Sequence, residues 1–283
     1  MSGWSRLTEE LDHWRSLDAP ATFWWRDDDA VEPTPRLDLL LRHAESVPLS
    51  MAVIPALATR ALAECLRDHP LVAVLQHGWR HANHAPGGNN EYPACRRAEE
   101  VSREFAEGLA LLTNLFGRQA VPVFAPPWHG FDECFLPMLR QNGFVAISRK
   151  GPRAARFATE GVLQANAHLA PIKWSDPPSF EDDDLYLDQI IEHLRGRRLG
   201  RYDATEATGL LTHHLVQNDK SYEFIARFVA IVSEHPAAVW MDAKSIFALD
   251  APRIDSARPG EPNQLGSQTR KLFMVASSSF PAL

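Results

Sequence analysis

Three consecutive aspartates, Asp27, Asp28 and Asp29, follow a short run of aromatic and β-favouring residues at 21–25. Neighbouring carboxylates repel one another, so such a run has to be solvated, paired or bound to a cation. Asp is also common in turns and at helix N-caps, and a turn is the simpler explanation of the run by itself. Other residues have to decide between a turn and a cation site.

A histidine pair, His77 and His81, provides a second group of this kind. Two histidines four residues apart lie on one side of a helical turn or tight loop, which suits two imidazoles on one divalent cation. The same spacing also occurs among surface and capping residues. Together with a carboxylate from another strand end, the pair forms a candidate site of two histidines and one carboxylate, with positions left for water and substrate. A dication there would also stabilise the ionised forms of the clustered aspartates.

The elements that must position these residues are short β-rich runs in alternation with helical stretches, from residue 21 to about 241. Such alternation indicates parallel strands joined by crossover helices. About seven or eight units predict an α/β fold of the (β/α) barrel type, irregular or incomplete, in a single domain at residues 1–250. Residues 251–283 are rich in Pro, Gly, Ser and Asn and are predicted to form a loosely ordered tail.

In a parallel barrel the active site lies at the C-terminal ends of the strands. Polar residues follow the apolar runs at just these points, as "RDDD" (26–29), "HGWRHANH" (77–84), "PPWHG" (126–130), "RK" (149–150) and "THH" (212–214). We therefore expect these segments to meet at a shared mouth.

This combination resembles the polysaccharide deacetylase family, also called carbohydrate esterase family four, with its nodulation-deacetylase homology domain. That family has two adjacent aspartates after an aromatic strand, then H-x-x-x-H, then Pro-Pro-aromatic, and finally an apolar strand that ends in His. The corresponding residues here are Asp27 and Asp28, His77 and His81, Pro126, Pro127 and Trp128, and His213 with His214 beside it. The order of the motifs and their spread over residues 21–241 match the whole expected domain.

The resemblance implies a distorted (β/α)7-type barrel and metal-dependent removal of an N-acetyl or related acyl group from an amino sugar or saccharide precursor. Asp28, His77 and His81 would hold a divalent metal ion, with zinc expected. Asp27 would be the general base toward water, and His213 would protonate the departing amine. The implied substrate-binding residues are Pro127, Trp128, Trp174 and His214.

The sequence also departs from the family pattern. Ala125 stands where an Arg usually pairs with the catalytic base, and Arg26, Arg80 and Arg149 are candidates for that role, although each could equally be a solvated surface residue. The family's fourth motif, an Asp and Trp region, is echoed only loosely, by Trp174 with Asp176.

Some choices stay open at this level. Which two of the three aspartates act is not decided, and His213 and His214 face opposite sides of an alternating strand, so only one of them can face the mouth. Two alternative functions are a hydrolase of the same fold acting on a small non-sugar amide, and a catalytically inactive carbohydrate-binding barrel.

Composition limits the classes of partner. Acidic residues (36) exceed basic ones (29), and no basic run is longer than "RGRR" at 195–198, so nucleic-acid binding is not expected. Cys65, Cys95 and Cys134 form no CxxC pair and the N-terminus lacks an apolar h-region, which predicts a cytoplasmic protein without disulfides. No window approaches 18 apolar residues, so no membrane span is predicted. The expected partner is a small-molecule or saccharide substrate, and the oligomeric state is left open.

Overall fold

The computed structural model describes residues 2–17 and 19–249. The predicted tail at 251–283 lies outside the described residues, so the domain division stays a prediction. None of the described helices is long and apolar enough to cross a membrane.

Strands and helices alternate along most of the described chain as the sequence predicts, except that β5, β6 and β7 follow one another without a helix between them. The strands are β1 (Ala21–Ala30), β2 (Leu49–Val53), β3 (Val72–His77), β4 (Ala120–Ala125), β5 (Ala146–Ile147), β6 (Phe157–Thr159), β7 (Val162–Gln164), β8 (Thr208–Thr212) and β9 (Ala238–Trp240). The helices are α1 (Gly3–Arg15), α2 (Pro35–His43), α3 (Arg60–Leu66), α4 (Ala98–Phe116), α5 (Leu136–Gln141), α6 (Asp183–Arg198), α7 (Asp219–Glu234) and α8 (Ala243–Ile246).

Local sequence signals account for several helix starts. Thr34 caps α2 by accepting a hydrogen bond from the backbone N–H of Leu37, and Pro35 occupies the first turn, where its missing N–H costs nothing. Asn218 caps α7 in the same way, with its side chain accepting from Ser221 N–H. These caps begin the crossover helices where the predicted α/β pattern requires them.

The sheet is ordered β6-β7-β5-β4-β3-β2-β1-β8, and β9 pairs with β1. Its pairings are parallel except for β6 with β7. The regular ladders leave the sheet open between β7 and β8, but an isolated parallel bridge between Leu169 and Leu210 joins the segment that follows β7 to β8. We call this place the seam. The predicted α/β fold is confirmed, as a distorted barrel whose sheet is not closed.

The aromatic residues of β1, Phe23, Trp24 and Trp25, are core residues, as large apolar side chains within a strand favour. Each buried indole also donates one hydrogen bond outside its own strand, Trp24 to the carbonyl of Asn166 (3.0 Å) and Trp25 to the hydroxyl of Thr212 (2.9 Å). A buried Trp N–H needs such a partner. The two bonds tie β1 to the seam and to the end of β8, and so place the three aspartates between neighbouring strand ends.

The C-terminal end of β1 is irregular. Its register against β2 shifts between Asp27 and Ala30, and Asp29 has a φ of 73°, in the left-handed region. A residue in this region turns the chain out of the regular alternation of side chains. The irregularity decides which aspartates enter the mouth.

Candidate metal centre and active site

Asp29, His77 and His81 form a cluster at the mouth of the barrel. Asp29 Oδ1 lies 3.1 Å from Nε2 of His77 and 3.3 Å from Nε2 of His81. His77 is the last residue of β3 and is buried, whereas Asp29 and His81 are partly exposed. The cluster therefore joins a rigid strand end to a surface that solvent can reach. We call it the mouth triad.

The position of the proton on His77 and the distances between the ligand atoms of the mouth triad both suit a divalent cation. His77 Nδ1 donates to the carbonyl of Ala125 (2.9 Å), so a neutral imidazole has its lone pair on Nε2, toward the triad. Asp29 Oδ1 is buried without a hydrogen-bond partner. Ligand atoms bound to zinc at about 2.0–2.1 Å in a tetrahedron are separated by roughly 3.3 Å, close to the separations found here.

Asp28 lies elsewhere, so the geometry differs from the predicted ligand set of Asp28, His77 and His81. Both oxygens of Asp28 accept hydrogen bonds from Arg26, from Nε at 2.8 Å and from Nη2 at 3.0 Å. Arg26 is completely buried and also donates to the carbonyl and hydroxyl of Ser148. The cause is the left-handed turn at Asp29, which brings that side chain rather than Asp28 to the two histidines.

Asp27, the predicted general base, is bound by groups from the end of β8. Its carboxylate is buried and accepts hydrogen bonds from the hydroxyl of Thr212 (2.6 Å), from the backbone N–H of His214 (3.0 Å) and from His214 Nδ1. His214 is equally buried, although it was predicted to bind substrate. Because these bonds join β1 to the end of β8, Asp27 and His214 act as a buried brace behind the site.

His213 takes the opposite direction from His214, as the alternation of a strand predicts. Its Nε2 lies 4.0 Å from Asp28 Oδ2, and the edge of Trp174 meets its ring at a centroid distance of 4.9 Å. The structure therefore brings the predicted acid His213 beside Asp28, and not beside Asp27.

Two tryptophans flank the site at the surface. The ring of Trp128 lies 4.1 Å from the ring of His81, measured between centroids, and 36% of Trp128 is exposed. Trp174, beside His213, is 61% exposed. Pro127 is buried behind Trp128, against Gly78. The predicted substrate-binding residues Trp128 and Trp174 thus lie exposed at the mouth, one beside His81 and the other beside His213, while Pro127 is buried.

Opposite charges at the mouth shift the pKa values of the carboxylates and of His77. Burial by itself would raise the pKa of Asp28, but the neighbouring Arg26 guanidinium lowers it overall. Burial would likewise raise the pKa of Asp29, and the neighbouring His77, His213 and His81 lower it overall. For His77, burial acts downward while Asp28 and Asp29 raise the pKa, whereas burial lowers the pKa of His81. The two carboxylates therefore stay ionised and favour a cation between the histidines.

Sequence reasoning did not single out His129, the residue after Trp128. Both residues have positive φ, 52° for Trp128 and 61° for His129, a conformation rarely adopted by residues other than glycine. His129 Nδ1 is buried without a hydrogen-bond partner, and burial together with the charge of Arg26 lowers the pKa of His129 to about 3. The signal was present in "PPWHG", a polar residue directly after a strand end.

A second cluster, His168, His193 and Glu206, lies at the seam and, like the mouth triad, contains two histidines and one acidic residue. All three side chains are buried. Glu206 Oε2 lies 3.5 Å from Nε2 of His168 and 3.8 Å from Nε2 of His193, and the two rings stack with centroids 3.4 Å apart. We call it the seam triad.

The protons of the seam triad are arranged differently. The backbone N–H of Gly209 donates to His168 Nδ1 (2.9 Å), so this imidazole carries its proton on Nε2. His193 Nδ1 lies 2.9 Å from Thr208 Oγ1, which also accepts a hydrogen bond from Arg197 (3.0 Å). A neutral His168 therefore has its Nε2–H toward the carboxylate of Glu206 and offers no free lone pair to a metal ion.

Comparison with solved structures identifies the fold. The chain is similar to a protein assigned as a polysaccharide deacetylase from Mycobacterium smegmatis, with 13% identity, a TM-score of 0.62 and coverage of 82% of this chain and 91% of that one. A second such protein, from Pseudomonas aeruginosa PAO1, has 13% identity, a TM-score of 0.56 and coverage of 81% and 90%. A family 4 acetyl xylan esterase from Clostridium thermocellum, in complex with a cobalt ion, has 15% identity, a TM-score of 0.51 and coverage of 82% and 93%.

No protein-family model matches the chain, and no curated protein matches it by sequence. The predicted resemblance to the polysaccharide deacetylase family is therefore confirmed as a resemblance of fold, which extends over most of the described chain.

Proposed function

We propose that this protein is a metal-dependent hydrolase that removes an N-acetyl or related acyl group from an amino sugar or saccharide precursor. The observation that carries the proposal is the mouth triad of Asp29, His77 and His81, which lies in a polysaccharide deacetylase fold beside an arginine-held aspartate and a histidine. The cobalt-bound acetyl xylan esterase of similar fold adds support for a metal ion.

In this proposal Asp29, His77 and His81 hold the divalent cation. When bound, the cation would polarise the acyl carbonyl and lower the pKa of water at the site. Zinc suits two imidazole nitrogens and one carboxylate oxygen that leave a position open. The ligand role thus moves by one residue from the sequence prediction, from Asp28 to Asp29.

Asp28 then takes the role of general base. Its carboxylate accepts the proton of the attacking water, and the two hydrogen bonds from Arg26 fix its orientation and keep it ionised. Arg26 makes the contact that the family pattern would assign to an arginine at the position of Ala125. The base is therefore oriented from its own strand, two residues away.

His213 is placed to protonate the departing amine. Its Nε2 lies 4.0 Å from Asp28 Oδ2, so one acidic and one basic group meet at the same reacting centre. The edge of Trp174 restrains the ring of His213. Amine departure needs a proton because an amide anion is a poor leaving group, and this need supports a role for His213.

Trp128 and Trp174 are proposed to contact the saccharide, because exposed aromatic rings offer the apolar faces of a sugar a large and rigid surface. Trp128 lies beside a ligand of the mouth triad and Trp174 lies beside the proposed acid His213, so both are placed to contact a saccharide bound at the mouth.

The test combines metal content with acyl release. Purified protein, reloaded with zinc or cobalt, is analysed for bound metal and assayed for acetate release from a panel of acetylated amino sugars. One ion per chain together with acetate release supports the proposal. Metal binding with release only from non-sugar amides would favour the alternative substrate class, and a chain that binds no metal under any loading condition would contradict the proposal.

A further inference from the structure

We propose that Glu91 is a positioning residue that shapes the loop carrying His81 and so sets the metal affinity of the mouth triad; this inference rests on the function proposed above. The loop comprises residues 78–97, between β3 and α4, and contains no helix or strand. Loops of this length need anchors of their own, and those that have them are often functional.

The carboxylate of Glu91 accepts hydrogen bonds from three backbone N–H groups of this loop. One oxygen accepts the backbone N–H of Trp79 at 3.2 Å, and the other accepts those of Arg80 at 3.0 Å and Ala82 at 3.3 Å. Glu91 is completely buried, so these bonds are made away from water. Hydrogen bonds to an ionised acceptor are about twice as strong as neutral ones. The donors come from both sides of His81 in the chain.

Gly78 makes room for this arrangement. It has a φ of 57°, and a Cβ at this position would collide with the nearer carboxylate oxygen of Glu91 and lie 2.7 Å from Cγ of Pro127. Only glycine satisfies both the backbone conformation and the close approach. The "HG" of the loop is therefore matched to a buried carboxylate thirteen residues further along the chain.

His81 needs the support that Glu91 provides. Its φ is 58°, a conformation that costs a residue other than glycine about 1 kcal/mol or more. Such a conformation persists only where the surrounding contacts hold the residue in it. His77 depends on the loop less, because it belongs to β3 and its Nδ1 is fixed by the carbonyl of Ala125. Loss of the Glu91 contacts should thus release one metal ligand of the three and leave the barrel folded.

The experiment compares Glu91→Gln with Glu104→Gln. Glutamine keeps the size of the side chain but replaces one acceptor oxygen by a donor, which then faces a backbone N–H. Glu104 is a matched control because it is also buried, and it holds the far end of the loop by pairing with Arg96 (2.6 and 2.7 Å). It makes no hydrogen bond to Trp79, Arg80 or Ala82.

Zinc affinity is measured by competition with a chelator, and the absorption spectrum of the cobalt-loaded protein reports the ligand geometry. Both are recorded at a temperature where circular dichroism shows every variant to be folded. Glu91→Gln should weaken zinc binding about tenfold or more and change the cobalt spectrum, by analogy with changes to groups that orient metal ligands. Glu104→Gln should lower the thermal midpoint but leave affinity and spectrum unchanged. If Glu91→Gln does not fold, Glu91→Asp provides the same test, since it keeps the charge but is too short to reach the three N–H groups.

Wild-type affinity and spectrum in a folded Glu91 variant would overturn this inference, and so would equal losses in the Glu91 and Glu104 variants. In both of these cases the wild-type protein still binds metal and the proposed function stands. A wild-type protein that binds no metal would instead overturn the proposed function itself.

Discussion

Two clusters in the described part of the chain contain two histidines and one acid each, and one histidine in each cluster shows that protons are held on opposite ring nitrogens. In the mouth triad His77 Nδ1–H donates a hydrogen bond to the carbonyl of Ala125, and the lone pair on its Nε2 faces Asp29. In the seam triad His168 Nδ1 accepts a backbone N–H, so that its Nε2 proton faces Glu206. If the partner of Nδ1 accepts a hydrogen bond, Nε2 of a neutral imidazole keeps a lone pair that can bind a cation. If that partner donates one, Nε2 carries a proton that can face a carboxylate.

The consequence is a difference of role. At the mouth, the Nε2 lone pair of a neutral His77 and an oxygen of Asp29 without a hydrogen-bond partner converge beside His81, and a divalent cation can bind all three residues. At the seam, the carboxylate of Glu206 is already satisfied, because it accepts the backbone N–H groups of Arg153 (2.9 Å) and Asn166 (3.2 Å) and also lies near the Nε2–H of a neutral His168. Residue types and mutual distances alone would classify both clusters as metal sites.

The seam triad lies where the sheet is not closed by a regular ladder. His168 is next to Leu169, which bridges to β8, while Glu206 precedes β8 and His193 belongs to α6. Each member is hydrogen-bonded to a neighbouring segment, His168 to Gly209, His193 to Thr208, and Glu206 to Arg153 and Asn166. The triad therefore helps to join these segments at the gap in the barrel, and we expect its loss to affect stability and leave metal binding unchanged.

The largest expected effect is a loss of metal binding, which distinguishes the mouth triad from the seam triad. Asp29→Ala should weaken metal binding by more than about 100-fold, since changes to outer partners alone cost roughly 10- to 100-fold, and should abolish acyl release with it. The matched change at the seam, Glu206→Ala, should keep one ion per chain. Elemental analysis of both variants checks this, and a loss of bound metal in the Glu206 variant would mean that the seam also holds an ion.

The next effect sharpens the comparison within the mouth. Asp28→Asn should lower turnover by about 10²- to 10⁴-fold with metal retained, because it removes the general base. Asp27→Asn should mainly lower stability, since Asp27 braces β1 against β8 through three buried hydrogen bonds. Steady-state rates with metal content and thermal midpoints distinguish the two. The reverse outcome, a folded Asp27 variant without turnover, would favour the base assignment made from sequence.

A smaller effect is expected on stability at the seam. Glu206→Gln should cost roughly 1–3 kcal/mol of unfolding free energy, because a buried N–H or imidazole N–H is left facing an amide donor. Glu160→Gln is the control, since Glu160 pairs with Arg140 at the surface and should change stability by less than about 1 kcal/mol. Chemical denaturation of both variants measures the difference, and equal stabilities would show that the seam triad contributes little.

The smallest effect concerns pH. Burial lowers the pKa of His193 to about 4 and also lowers that of His168, in surroundings that include Arg197 and Arg153. Burial by itself would raise the pKa of Glu206, but its contacts with the two imidazoles and a backbone N–H lower it to about 2.

The sign of the pH effect is the same for all three groups. The unfolded chain binds more protons than the folded one as the pH falls, between about 6.5 and 4 for His193 and between about 4.5 and 2 for Glu206, so stability declines with falling pH. Denaturation of the metal-free protein at pH 7, 5.5 and 4.5 should show this decline, and it should be shallower in His193→Asn. An equal slope in that variant would contradict the assignment.

Much of the arrangement could be predicted from the sequence. The alternation of strands and helices, the core position of Trp24 and Trp25, and the convergence of His77, His81 and His213 at one end of the barrel all follow from local patterns. Such patterns are visible because each element has its own periodicity, and because parallel strands place their C-terminal ends together.

The aspartates could not be assigned in this way. Regular alternation would put Asp27 and Asp29 on one side of β1 and Asp28 on the other. The left-handed conformation of Asp29 breaks this alternation within the three aspartates, so the sequence pattern does not show which of them meets the histidines. Glu91 carried no signal either, because an isolated acid in a long loop looks like any solvated side chain until its three backbone partners are seen.

The sequence by itself thus determined the class of fold and the residue types that meet at the mouth, since periodicity and strand order are local properties of the chain. The tertiary structure alone decided which aspartate joins the histidines, which arginine holds the other aspartate, and which of two similar triads has lone pairs to offer. These choices depend on backbone conformation and on hydrogen-bond partners that are distant in the chain, and neither is encoded in the spacing of the residues concerned.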